Sequence, residues 1–412
     1  MGMMNKGKIM SPNLITTVGR GWLKSLTRLA TFALASYLVI ALASPAQAQT
    51  FDQAVQNALR NAFSGGNCSP PLSPTPGSNL ATICDGTING LSGTVADAAS
   101  GGSTTALARE SSPIEERKIR GVMGPFSLFL SGEYESFDKD LTKFEPGHKT
   151  DTWRALFGVD YSFSDRFVLG VAFNYVNNNG NFDGGGRFDT DSYGGLVHAS
   201  FVPAPNFFID ASAGYTRKNY FISRLASLIV DTGDPTLSFT TLGTTTGDTD
   251  GNEFKVGVNG GYNFNFKSVT FGPRLGLHYK HTKIDSFRER GNTGLELVYG
   301  SQTEKSLTGI LGLYGSIAIS TGFGVLVPQT TVEYVHEFQD DQRRINFRFV
   351  EDDARARFRF ENDPPDRNYF NLGVGIVAVL PHGFSPFINY RALVGYNEQS
   401  SHAVTAGLRV EF

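Results

Sequence analysis

Charge is scarce in this 412-residue chain. Lys, Arg, Asp and Glu make up 18% of it, against roughly a quarter in soluble domains. The 36 basic and 39 acidic residues nearly cancel, for a net charge of −3. Lys and Arg are scattered rather than clustered, which excludes the basic surface a nucleic-acid partner needs. Cysteine is nearly missing: Cys68 and Cys84 are the only two. So few thiols exclude a disulfide-knit scaffold and a cysteine metal centre, and no cofactor, metal or catalytic set is expected. No apolar run beyond residue 43 approaches the ~20 residues of a membrane helix. What abounds instead is glycine, at 47 residues, with 33 Phe and 15 Tyr.

The N-terminus is of another kind. Lys6, Lys8, Arg20, Lys24 and Arg28 precede "LATFALASYLVIALA", Leu29 to Ala43, and then "SPAQAQ". The apolar run is short for a bilayer, and Ala46 and Ala48 fit the small-x-small rule for signal-peptidase cleavage. Residues 1–48 are therefore expected to be a secretory signal. In an oxidising compartment Cys68 and Cys84, with fifteen residues between them, read as a local disulfide, two free thiols being the alternative. Residues 49–120 form a short extension. Phe51, Val55 and Leu59 repeat every four residues and suit an amphipathic helix, a Pro-rich loop follows, and "EERKIR" at 115–120 carries both charges.

From residue 121 the pattern is strand. "WRALFGVDYS" sets Trp153, Ala155, Phe157, Val159 and Tyr161 against Arg154, Gly158, Asp160 and Ser162. The last stretch alternates Val404, Ala406, Leu408, Val410 and Phe412 with Thr405, Gly407, Arg409 and Glu411. This is the period-two signature of strands with one apolar face. About twelve such strands occur, near 126–137, 151–162, 166–177, 189–202, 206–220, 251–266, 268–281, 304–318, 324–339, 367–380, 384–397 and 402–412. Their connections alternate between tight turns ("SFSDR", "VPAPN", "FKS", "STGFG", "PHGF") and long polar segments at 138–150, 178–188, 221–250, 282–303 and 340–366. A transmembrane barrel has that asymmetry, and a soluble sandwich has no need of it. In a bilayer every backbone polar group must be paired, so strands cross it only as a closed barrel. The expected fold class is all-β, a transmembrane antiparallel barrel of about twelve strands at 121–412, ending at its periplasmic rim.

"GEYES" (132–136), "GVDYSFSDRFVLGVAFNY" (158–175), "YGGLVHASF" (193–201), "FFIDASAGY" (207–215) and the final "AGLRVEF" together resemble the autotransporter β-domain of bacterial outer membranes, over roughly 120–412. The resemblance implies a twelve-stranded barrel whose pore holds a helix from the segment before its first strand. It implies a role in moving an N-terminal passenger to the cell surface. The implied partners are outer-membrane lipid, periplasmic chaperones and the barrel-assembly machinery, which reads a C-terminal aromatic strand, here Leu408, Val410 and Phe412; the barrel is expected to be a monomer. Family passengers are commonly long, whereas only about seventy residues lie between the expected signal and this barrel. The family's autocleavage uses paired asparagines in the pore helix, and no Asn lies between residues 90 and 125. "NNN" at 177–179 falls in an expected external loop, so no autocleavage is expected.

Alternation also sorts the ionisable residues. Glu133, Arg154, Asp160, Lys255, Arg274, Glu333, Arg391 and Arg409 fall on the inward face, with both signs mixed, which argues against a strongly ion-selective pore. They either hold a plug such as 104–120 or form a hydrated lining. A passive porin-like channel and a loop-mediated adhesin are the alternative functions. Catalysis is not expected: Ser401 and His402 point to opposite faces, and His198 and Ser200 share one but lack an identifiable orienting acid. In "RRINFRFVEDDARARFRF" a turn at Glu351-Asp352-Asp353 separates two short alternating arms. The reading is a hairpin that projects beyond the membrane as an extension of the barrel wall; were it to cross, the count would be fourteen.

Overall fold

The computed structural model describes residues 125–231 and 239–412, with 73, 75, 76, 78–80 and 94–97 of the N-terminal region. Contacts divide the chain into Met1–Ala48 and Gln49–Phe412, and every described residue belongs to the second unit. The expectations for the signal at Ala46 and Ala48, the Cys68–Cys84 pair, the helix at Phe51, Val55 and Leu59, and the plug at 104–120 lie outside the described residues.

Twelve strands carry the architecture: β1 (Phe126–Lys139), β2 (His148–Ser164), β3 (Phe167–Phe182), β4 (Gly186–Ala204), β5 (Phe207–Asp231), β6 (Phe239–Tyr262), β7 (Val269–Ile284), β8 (Gln302–Ile317), β9 (Gly324–Glu337), β10 (Asn368–Val379), β11 (Phe384–Val394) and β12 (Gln399–Glu411). Each pairs antiparallel with its neighbours in the chain, and β1 pairs with β12 from Lys139↔Gln399 to Ser127↔Glu411. The ring therefore closes and leaves no open edge along the membrane-spanning part of its wall. One rim is made of tight turns. At the β4–β5 turn Asn206 takes a φ of 67°, a left-handed position that Asn tolerates. The opposite rim carries the longer excursions at 140–147, 285–301 and 338–367.

The barrel is inside out relative to a soluble fold. Trp153, Leu275 and Leu313 are 59%, 62% and 65% exposed, whereas Glu133 and Asp160 are buried within the ring. Aromatics bracket the apolar band. Trp153, Tyr175, Tyr193, Tyr215 and Phe254 are exposed on adjacent strands at the long-loop side. Tyr161, Phe163, Phe167, Tyr262, Phe264 and Phe271 pack ring against ring at the other, with centroids 4.7–5.7 Å apart. From Tyr161 to Trp153 is about 26 Å of strand at ~3.3 Å per residue, the scale of an outer-membrane hydrocarbon layer.

Two expectations about the long rim need correction. Most of 178–188 and 221–250 is strand, as are the two ends of 138–150, and Asn177–Asn179 lie within β3, paired with β2 and β4. Beyond the lipid, apolar alternation is no longer required, so the periodic signal stops while the backbone ladder continues. The second concerns the hairpin. Arg344–Phe349 pairs with Phe358–Glu361 outside the ring, so the count is twelve. It does not merely extend the wall: it joins Leu297–Tyr299 and Phe287–Arg288, from the β7–β8 connection, in a separate four-stranded sheet.

Candidate functional site

Inside the ring lies a cavity of about 1750 Å³. Glu133, Arg154, Asp160 and Lys255 line it, as do Arg274, Glu333, Arg391 and Arg409. The strand pleat brings them together in tiers. Near the tight-turn rim, Arg409 Nη2 donates to Asp160 Oδ2 at 2.6 Å and to Ser127 Oγ at 2.5 Å, and His198 Nε2 meets the other Asp160 oxygen at 2.6 Å. One tier further, the Arg154 guanidinium bridges Glu133 and Glu135, the latter at 3.0 Å. Ser401 and Thr405 donate to the same two carboxylates from β12. Toward the long-loop rim, Glu253 sits between Lys218 Nζ at 2.8 Å and Lys255 Nζ at 2.5 Å, and Lys280 pairs with Glu304 at 2.8 Å. Arg274 instead lies over the rings of Phe208 and Tyr314, 4.5 and 4.9 Å from their centroids.

The hydrolase-like pairs come apart. Ser401 binds Glu135 inside the ring, whereas His402 meets the Tyr390 hydroxyl on the outer face. An acid does stand beside His198, namely Asp160, contrary to the reading that no orienter was identifiable. Ser200, however, donates to Asp210 at 2.5 Å. The two pairs are separate, and no Ser–His relay forms.

Above the long-loop rim the four-stranded sheet has an apolar core of its own. Phe287, Leu297, Tyr299, Ile345, Phe347 and Phe360 are all buried there, with Phe287 stacked on Tyr299 at 4.9 Å. Arg224, on the far end of β5, ties this sheet to the wall. Its Nε and Nη2 donate to Glu289 at 2.9 and 2.6 Å, and Nη2 also reaches the Leu295 carbonyl. Glu289 further accepts the Leu297 amide at 2.9 Å. Burial pushes the Tyr299 phenol well above its usual range, and the Glu289 charge beside it adds to the shift.

The N-terminal extension meets that same rim. The Leu80 amide donates to Glu351 Oε2 at 2.6 Å, and the Ser73 amide to Asp352 Oδ1 at 2.7 Å. Backbone bonds run from the Thr75 amide to the Glu351 carbonyl and from the Asp353 amide to the Ser73 carbonyl. Asn79 Nδ2 donates to the Asn292 carbonyl, and Leu80 is fully buried. Thr94–Asp97 pairs antiparallel with the end of β5, Thr94 opposite Asp231.

A twelve-strand ring with tight turns on one rim, a charged lumen and a lipid-facing exterior matches a known family. The family model for the autotransporter β-domain covers residues 128–391. The chain belongs to that family. As an autotransporter β-domain protein it resides in the bacterial outer membrane, anchored by the barrel. It superposes on the translocator domain of the autotransporter NalP from Neisseria meningitidis with a TM-score of 0.55 and 17% identity, over 71% of this chain and 90% of that one. "Outer membrane protein A" of Rickettsia conorii is 24% identical over 257 residues, 60% of this chain. "Lipase 1" of Photorhabdus luminescens is 22% identical over 165 residues, 40% of this chain. The chain spans only 12% and 25% of the lengths of these two relatives.

Several of this autotransporter's site residues were not singled out from sequence. Lys218 and Arg224 continue the inward parity of β5 from Asp210, and following that parity past Tyr220 would have found them. Glu289, Glu351, Gly294 and Leu80 carried no such signal, because loop-to-loop contacts have no period.

Proposed function

We propose that this autotransporter barrel carries its own N-terminal segment, 49–120, through the lumen and holds part of it at the outer rim. One observation carries the reading. Residues 73–80 and Thr94–Asp97 are bonded at the long-loop rim, whereas β1 begins at Phe126 on the tight-turn rim. The 28 residues from 98 to 125 must descend the height of the barrel. Even fully helical they would reach about 42 Å, enough for that span. They include Glu115, Glu116, Arg117, Lys118 and Arg120, which lipid outside the wall would reject and a lumen of both charge signs accepts. The barrel works as a monomer in outer-membrane lipid, placed there by periplasmic chaperones and the assembly machinery. The role assigned to it is transport and anchoring, and His198 and Ser200 are engaged by separate aspartates rather than by each other.

The test is orientation on intact cells. With Cys68 and Cys84 changed to serine, Pro76→Cys should react with a membrane-impermeant maleimide, and Gly322→Cys, in a tight turn, should not. Protection of Pro76→Cys alongside labelling of Arg344→Cys would leave the segment behind in the periplasm and end the proposal.

A further inference from the structure

We infer that the outer loops form a peptide-binding site, a clasp whose ligand is Ser73, Thr75 and the turn that leads to Asn79 and Leu80 in this same chain, so that the exported segment is held against the barrel by non-covalent contacts. The inference rests on the proposed export of that segment and adds the site that retains it.

The contacts have the features of a built site. Two carboxylates on consecutive residues, Glu351 and Asp352, accept the amides of Leu80 and Ser73, and bonds from carboxylate to backbone N–H are stronger than neutral ones. Asp352 is itself buried and shaped by its own turn, its Oδ2 accepting the Ala356 amide at 2.7 Å. The turn is therefore ordered independently of the ligand. Backbone bonds between Thr75 and Glu351 and between Ser73 and Asp353 add a short strand-like register. Leu80 supplies the apolar anchor, fully buried where the 292–294 loop closes on it.

Gly294 permits that approach. Its φ is +78°, and a Cβ there would sit 2.7 Å from the Leu80 nitrogen. Any other residue would be strained and would press the ligand out. The loop carrying Gly294 is braced from below, because Glu296 accepts the Thr293 and Gly294 amides at 2.7 and 2.9 Å. The recognised chemistry is a short Ser/Pro/Thr peptide that turns after Thr75, presents the Ser73 and Leu80 amides to the two carboxylates and ends in a leucine. Proline at 74 and 76 restricts the backbone of the free segment and so lowers the entropy lost on docking.

The full-length protein on intact cells tests this. An epitope tag is placed ahead of Phe51 and a site-specific protease sequence is inserted after Gly90. After cutting, the tagged fragment should remain on washed cells, released only slowly. Glu351→Gln, and independently Leu80→Ser in the ligand, should each speed release about tenfold or more, as expected for loss of a charge-assisted bond or an apolar anchor. Immediate release from the otherwise unaltered chain would overturn the clasp while leaving export intact. Retention unchanged in both variants would overturn the assigned site. Failure of the protease to cut on intact cells, with cutting after the outer membrane is opened, would overturn export and the clasp with it.

Discussion

Arg224 on the barrel wall and Glu289 in the loop after β7 form a two-pronged ion pair at 2.9 and 2.6 Å, buried on both sides. Glu289 lies between the wall and the four-stranded loop sheet, so this pair is the electrostatic joint between them. Arg224→Met should leave an uncompensated buried carboxylate, a change that typically costs about 3–5 kcal/mol. The loop sheet should then become sensitive to protease between residues 287 and 361 while the barrel stays heat-modifiable. Adding Glu289→Leu to Arg224→Met should restore much of the resistance, because removing both charges removes the penalty.

Facing can be tested with two neighbours. Leu275 points outward midway between the aromatic girdles, and Arg274 points into the lumen. Leu275→Arg should lower the folded fraction in liposomes by about 2–4 kcal/mol, as a charge facing mid-bilayer does. Arg274→Gln forfeits its contacts with two rings, Asn263 and the Tyr262 and Pro273 carbonyls, all of which a hydrated lumen can replace, and should cost under half as much. Equal damage from the two would reverse the assigned faces.

Glu253 balances Lys218 and Lys255 at the long-loop end of the lumen. Glu253→Gln should destabilise the folded barrel by several kcal/mol in urea, since buried Lys218 and half-buried Lys255 lose their shared counter-ion. Lys218→Met combined with Glu253→Gln should recover part of that loss. A single-variant midpoint identical to that of the unaltered protein would show the tier to be solvated rather than structural.

Conductance tests the occupied lumen. Eight strands leave an interior filled by side chains and sixteen an open channel, and twelve lie between. On the proposed export path, in which 98–125 would thread the cavity, the mature chain should give small or flickering currents in planar bilayers. Removal of 49–120, in protein checked for folding by heat-modifiability, should raise them severalfold. Equal single-channel conductance would remove the threaded segment and favour a simple pore.

The barrel was legible in the sequence because the bilayer writes a local rule. Each strand that crosses lipid must alternate, so Trp153, Phe157 and Tyr161 outside imply Arg154 and Asp160 inside without knowledge of any partner strand. The turns were legible for the same reason: a tight hairpin needs its own residues, as at Pro205-Asn206. The long rim obeyed no such rule. Strands continued past the girdle with polar residues outside and Phe182, Phe188 and Ile222 buried inside, and the extent of β5 and β6 depended on their pairing with each other. Arg224 with Glu289, and Leu80 with Glu351, lie 65 and 271 residues apart. Only the closed ring, by holding the loop bases at fixed positions on one rim, decides that they meet. Periodicity records what each segment owes its solvent, whereas contacts between loops record how distant segments share one space, and that is set by the tertiary fold alone.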